Sequence, residues 1–236
     1  MIYWLLKHLV VGPLTRMAFR PWVQGAEHVP AKGPVILASN HLSVIDSIFL
    51  PVVLDRRVVF LAKKEYFTGP GLKGWLTKQL FLATGMIPMD RGGGAGSEAS
   101  LNTGLQVLGE NKVLGIYPEG TRSPDARLYR GRTGIARMVM ALDGEVPVVP
   151  VVMVDTEHVM PIGTTIPKVR RIGIVIGEPI DFSRYKGLPH DRFILRSITD
   201  EVMTEIHALS NQEYRDIYAS TIRSKMDADR AQRKAA

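Results

Sequence analysis

The sequence contains no cysteine. That excludes disulfides, thiolate metal sites, iron–sulfur clusters and a cysteine nucleophile together. It also lacks a long apolar run. A bilayer-spanning helix needs about 20 mostly apolar residues, and no stretch reaches that length without charge. The N-terminus, MIYWLLKHLVVGPLTRMAFR, is apolar but is interrupted by Lys7, His8, Pro13, Arg16 and Arg20. No small-residue cleavage site follows it, so it does not read as a signal peptide. There is no G-x-x-x-x-G-K-[ST] loop and no G-x-G-x-x-G after a strand, which argues against nucleotide and dinucleotide sites. Helix-turn-helix, zinc-finger and RNP-type signatures are missing too, so no nucleic-acid partner is expected. Acidic residues are the minority: 23 Asp plus Glu against 30 Lys plus Arg gives a net charge of +7. Such a surface favours an anionic partner.

What is present is a globular composition. The 236 residues are 45% hydrophobic and 22% charged, enough to bury a core without staples. Apolar runs alternate with segments of helical spacing. Strands are expected at 34–39, 57–62, 85–89, 113–117 and 170–177. Helical segments are expected at 43–54, 75–81, 100–110, 133–142 and 192–218. Between them lies a glycine-rich loop at 92–96. The run VPVVPVVMV at 146–154 is apolar, but its prolines argue against a regular central strand. This alternation predicts an α/β fold with a mixed, largely parallel central sheet flanked by helices. Residues 1–25 mix Trp and Leu with cations, as an amphipathic helix at a membrane interface does. Packing of this segment on the protein's own core is the other reading. Residues 26–222 form the main domain, and 223–236 form a charged tail expected to fray.

Three constellations bear chemistry. In the first, His41 at a strand end precedes Asp46 by five positions. On a continuous helix, five residues put two side chains about 140° apart. The pair can meet only if His41 sits in the loop and Asp46 in the first helical turn, with Ser43 as the N-cap. A carboxylate on one ring nitrogen then fixes the tautomer, and the other nitrogen can take a proton from a hydroxyl. The same spacing also suits a capping-box carboxylate and a loop-end histidine with no chemistry. In the second, Tyr117-Pro118-Glu119-Gly120-Thr121-Arg122-Ser123 breaks a strand into a turn offering backbone N–H groups, a hydroxyl and an arginine. These suit an anion, and they also suit a solvated surface turn. In the third, Gly85-Met86-Ile87-Pro88-Met89-Asp90-Arg91 brings Arg91 to a strand end, facing an anion or pairing with an acidic neighbour. The downstream cations Arg127, Arg130, Arg132 and Arg137 either extend an anionic surface or form a solvated face.

Taken together, these segments resemble the lysophospholipid acyltransferase family, most of all its 1-acylglycerol-3-phosphate acyltransferases. Four family blocks appear in order: N-H-x-x-x-x-D at Asn40–Asp46, G-x-I-x-x-x-R at Gly85–Arg91, P-E-G-T-R-S at Pro118–Ser123 and V-P-V-x-P-V at Val146–Val151. The resemblance implies transfer of an acyl group from a coenzyme A or carrier-protein thioester to the hydroxyl of lysophosphatidic acid. That makes phosphatidic acid. His41 would be the general base and Asp46 its orienting carboxylate. Arg91, Glu119, Gly120, Thr121 and Arg122 would bind the acceptor, while Val146, Pro147 and Pro150 would line the acyl or acceptor region. No covalent intermediate, metal or cofactor beyond the thioester donor is implied. The expected setting is the cytoplasmic face of an anionic membrane. A different acceptor (glycerol 3-phosphate or another lysophospholipid), a thioesterase and a non-catalytic membrane-surface protein are the alternative functions.

Overall fold

A computed structural model describes residues 6–89 and 93–235. The strands explain themselves by their alternation. In β2 (Val35–Ser39) every residue is buried. Val35 and Leu37 point into one apolar cluster, and Ile36 and Ala38 into another. A strand covered on both faces reads as an unbroken apolar run, as strands of parallel sheets do.

Seven strands form the main sheet: β1 (Trp22–Gln24), β2, β3 (Val58–Lys63), β4 (Ile87–Met89), β5 (Val113–Ile116), β7 (Val148–Val154) and β8 (Gly173–Ile176). Their spatial order is β1-β8-β7-β2-β5-β3-β4. The neighbours run parallel except β7 and β8, which are antiparallel. The sheet is therefore mixed and largely parallel, as the alternation of elements predicts. A second, two-stranded sheet joins β6 (Leu128–Tyr129) to β9 (Tyr214–Arg215).

Helices cover both faces. One face carries α4 (Gly93–Gly109), α5 (Gly134–Ala141) and α7 (Arg192–Leu209), whose Leu108, Ile135, Val139, Ile198, Val202 and Ile206 close the cluster of Ile36 and Ala38. On the other face lie α1 (Gly12–Phe19), preceded by a π-helical turn at Leu6–Val11, and α2 (Asp46–Val53). Phe49 and Leu50 of α2 fill the cluster of Val35 and Leu37, and Phe19 meets Phe49 edge-on at 5.1 Å. The remaining helices are α3 (Gly71–Ala83), the single turn α6 (Thr156–Val159) and α8 (Ala219–Ala235).

Four sequence expectations are corrected. The run at 146–154 does supply an interior strand, β7. Its ladder with β8 begins at Val151 opposite Ile176, so Pro150 sits one residue before the pairing. There it needs no N–H, and its carbonyl still accepts from Gly177 N at 2.9 Å. From Gly93 on, the glycine-rich stretch is not a loop but the start of α4, and tertiary packing of Leu101, Leu105 and Leu108 overrides weak local propensity. The helix expected over 192–218 stops at Leu209, where Ser210 turns extended. The chain then pairs Tyr214 with Leu128 before α8 begins. Residues read as a charged tail lie within that helix.

The N-terminal segment also differs in detail from a simple amphipathic helix. Lys7 is turned inward, its Nζ donating to the carbonyls of Leu54 and, at 3.3 Å, Asp55. Burial lowers the Lys7 pKa, with Asp55 opposing the shift. Leu9, Val10, Leu14 and Met17 remain exposed. Among the described residues no helix is long and apolar enough to cross a membrane.

Candidate active site

Parallel register brings two chain reversals to one edge of the sheet. Ala38 of β2 lies opposite Ile116 of β5. The next residues, Asn40–Asp46 after β2 and Tyr117–Ser123 after β5, therefore emerge side by side at the carboxyl ends of the strands. That is where open α/β sheets place their ligand crevices.

His41 lies in the first reversal and Asp46 opens α2. The imidazole Nδ1 donates to Asp46 Oδ2 at 2.9 Å. The same oxygen accepts the backbone N–H groups of Leu42 and Ser43, each at 2.8 Å. This is the loop-then-helix geometry that the five-residue spacing demands. The expected Ser43 cap is not formed. The helix N-cap is Ile45, with no side-chain bond, while Ser43 Oγ donates to the Met160 carbonyl at 2.8 Å. The carboxylate of Asp46 satisfies the backbone there instead. Asp46 is fully buried, and its Oδ1 has no hydrogen-bond partner. A buried carboxylate with one oxygen saturated by donors and the other bare concentrates negative charge beside the imidazole.

The second reversal fixes His41 from behind. The imidazole stacks on Tyr117, with centroids 3.8 Å apart and planes 10° from parallel. Tyr117 in turn stacks on Phe60 at 5.2 Å, and its hydroxyl bonds Ser47 Oγ at 2.8 Å. Desolvation, with Asp46 nearby, pushes the Tyr117 phenol well above its usual pKa. It is a neutral wall to the ring. The backbone of His41 is held at both ends: its N–H donates to Glu119 Oε1 at 3.2 Å, and its carbonyl accepts from Ser123 N at 2.7 Å. Asn40 stitches β2 to β7, its Oδ1 accepting from Met153 N and its Nδ2 donating to Met153 O and to Gln212 Oε1.

Glu119 is 1% exposed. Its two oxygens accept from the backbone N–H groups of His41 and of Tyr129, the latter at 3.0 Å. Burial raises its pKa from 4.5 to about 8, against the pull of those two bonds and with help from Asp46 and Asp125. The folded state thus holds the Glu119 proton more tightly than the unfolded chain does. Stability from this group is full below pH 4.5 and is lost as the pH rises to about 8, with a limiting slope of about 1.4 kcal/mol per pH unit. Urea unfolding at pH 5 and pH 8 will show wild type losing stability at the higher pH. Glu119→Gln, which cannot titrate, will show a flatter profile; equal slopes would overturn the assignment.

The rest of the turn is solvent-facing in part. Gly120 adopts φ +75°, and a Cβ there would meet the Arg132 side chain at 2.9 Å, so the position demands glycine. Thr121 Oγ1 accepts from Arg223 of α8 at 3.3 Å. Arg122 is half-buried and makes no ion pair with any described residue. The downstream cations are mostly engaged. Arg127 pairs with Asp125 and Glu213, Arg130 pairs with Asp216 at 3.5 Å, and Arg132 bonds Ser220 and lies over the Tyr218 ring.

Not every expected site residue comes to this edge. Arg91 lies outside the described residues. Val146 and Pro147 precede β7, whose Val148 pairs with Ile36. They are therefore level with the start of β2, about 20 Å from His41 at about 3.3 Å per residue. Val146 sits in the apolar core, and Pro150 lies opposite Ala38 inside the sheet. Tyr117 and Ser123 support His41 directly, Asn40 fixes the strand end before it, and Ser47 acts through Tyr117, yet their parts were not assigned from the sequence. The signals were the aromatic character of Tyr117 at a strand end and the places of Asn40 and Ser123 at the ends of two motif blocks; Ser47 offered none. Donors able to hold a cation occur at Asp155, Glu157 and His158, within 4.8 Å of one another, but Arg170 and Arg171 border the same cavity of about 450 Å³ and oppose a cation there.

Residues 20–154 match the acyltransferase family model. The chain belongs to the acyltransferase family. A 1-acyl-sn-glycerol-3-phosphate acyltransferase of Bacillus subtilis (strain 168) is 30% identical over 80% of this chain and 88% of its own length. An enzyme of the same name from Limnanthes alba is 34% identical over 65% of this chain and 51% of its own. The crystal structure of the 1-acyl-sn-glycerophosphate (LPA) acyltransferase PlsC from Thermotoga maritima shares the fold. Its TM-score is 0.63 at 23% identity, covering 87% of this chain and 82% of that one. The acyltransferase has its His41–Asp46 pair and its Pro118–Ser123 turn inside the matched span.

Proposed function

We propose that the protein transfers a fatty acyl group from an acyl thioester, carried on coenzyme A or an acyl carrier protein, to the free hydroxyl of lysophosphatidic acid. The observation that carries this reading is the 2.9 Å bond between His41 Nδ1 and Asp46 Oδ2. With Nδ1 committed to the carboxylate, Nε2 takes the acceptor's hydroxyl proton as its oxygen attacks the thioester carbonyl. Asp46 stabilises the imidazolium that forms. Collapse of the tetrahedral intermediate expels the thiolate, which recovers the proton from Nε2. The products are an ester and a thiol, and the histidine is returned unchanged. Arg91 and Arg122 would hold the acceptor phosphate. Glu119 acts from inside by fixing the backbone of His41, while Gly120 and Thr121 shape the turn.

The net charge of +7 favours every substrate in this scheme, since acceptor and donors are anionic. The exposed apolar side chains of α1 suit the anionic membrane in which the acceptor lives, and the cytoplasmic face is the expected side. The decisive experiment is thiol release from a long-chain acyl-CoA by the purified protein, with and without lysophosphatidic acid. Release that depends on the acceptor supports transfer. Release without it would make the protein a thioesterase, and dependence on a different lysophospholipid would move the acceptor. Replacing Arg122 by alanine will raise the acceptor KM about tenfold or more, by loss of a charge-assisted contact, and leave the donor KM nearly unchanged. A rise confined to the donor would place Arg122 on the thioester.

A further inference from the structure

The loop between α6 and β8 presents a surface that acyl transfer itself does not call for. Ile166 is 79% exposed, the highest value of any large apolar side chain among the described residues, and Val169 is 69% exposed. Exposed Lys168, Arg170 and Arg171 alternate with them, and none forms an ion pair with a described residue. Nor is the loop slack. Thr164 bonds the Pro161 carbonyl through both its N–H, at 3.1 Å, and its hydroxyl, at 2.8 Å. Lys168 N bonds the Val159 carbonyl at 2.7 Å, and Pro167 keeps Ile166 extended. The apolar side chains are thus held away from the core by an ordered backbone.

The loop also borders the active edge. Met160, where it begins, accepts from Ser43 Oγ in the His41–Asp46 reversal. Where it ends, Gly173 lies opposite Val154 at the carboxyl end of β7. Gly173 also pairs with Trp22, so Arg20 and the end of α1, with Leu14 and Met17 exposed, enter at the same edge. Asp155 is the acidic neighbour of Arg170 and Arg171. Isolated apolar side chains flanked by unpaired cations fit the boundary between headgroups and acyl chains, where the former insert and the latter meet phosphates.

We propose that the Pro161–Arg171 loop is a second membrane contact, inserting Ile166 and Val169 into an anionic bilayer while Lys168, Arg170 and Arg171 engage its phosphates. Together with α1 it makes a two-point contact that sets the His41 edge against the lipid surface. The proposal goes beyond the assigned reaction, and its test reads lipid contact without turnover.

The absence of cysteine makes the test clean. Ile166→Cys and, at the exposed position before β2 on the opposite edge, Lys32→Cys each carry one environment-sensitive fluorophore. With vesicles of phosphatidylcholine and phosphatidylglycerol, the label at position 166 will shift to the blue and the label at position 32 will not. Vesicles of phosphatidylcholine alone will give a much smaller shift. In the unlabelled protein, combined Lys168→Gln, Arg170→Gln and Arg171→Gln will weaken cosedimentation with the anionic vesicles at least tenfold at low salt. An unshifted label at position 166, a shift indifferent to lipid charge, or unchanged binding of the triple variant would each overturn the proposal.

Discussion

His41→Ala lowers the rate of acyl transfer by about 10²–10⁴-fold, the range that general-base assistance supplies. The fold survives. Asp46 Oδ2 loses its bond to the ring but keeps the Leu42 and Ser43 N–H groups. The ring also stacks on Tyr117, and an aromatic pair contributes about 0.5–1.5 kcal/mol beyond its buried area. Vesicle binding and thermal unfolding measured beside the thiol-release assay separate the two effects. A full loss of activity with a change of about 1 kcal/mol in stability supports the base assignment. Undiminished turnover would sink it.

Asp46 produces a different pattern, because one oxygen serves the ring and the backbone together. Asp46→Ala strands three donors: His41 Nδ1, Leu42 N and Ser43 N. Each unsatisfied buried donor costs about 1–3 kcal/mol, so this variant loses both activity and several kcal/mol of stability. Asp46→Asn keeps an oxygen for those donors but removes the charge that stabilises the imidazolium. Its stability stays near wild type while turnover falls about as far as in His41→Ala, by about 10²–10⁴-fold. Urea unfolding and steady-state rates of both variants test the division of labour. Equal destabilisation by alanine and asparagine would mean that charge, not hydrogen-bond satisfaction, holds the reversal.

Much of this could be read from the residues. β2 was visible because a strand buried on both faces must be apolar throughout. Helical geometry set only the condition for His41 and Asp46 to meet, a loop for the first and a first helical turn for the second, since five residues cannot converge on one continuous helix; that they do meet is seen in the structure. The capping role of Ser43 was misread because local spacing cannot tell which side chain will satisfy a reversal once a distant carbonyl, that of Met160, competes for the hydroxyl. Pro150 misled for a related reason. Whether a proline disrupts a strand depends on where the neighbouring ladder stops, and that neighbour is β8, well removed in sequence. The break at Ser210 was locally signalled by Ser210-Asn211, residues that compete for the backbone. The periodicity of Arg192–Leu209 masked it. Val146 and Pro147 fell away from the site because a motif can mark a strand's beginning as well as the end that carries chemistry.

The pairing of the first strand with the eighth has a consequence for synthesis. Trp22 and Gly173 meet across about 150 residues of chain; at about 5–20 residues per second the partner emerges roughly 8–30 s later. Until then β1 has no ladder. A contact this distant in sequence slows folding, because the intervening chain must be closed before pairing repays it. The nascent chain therefore displays the exposed apolar side chains of α1 before β1 finds its partner. On the proposed reading of α1 as a membrane contact, a bilayer within reach during that interval would meet the chain before its own eighth strand does.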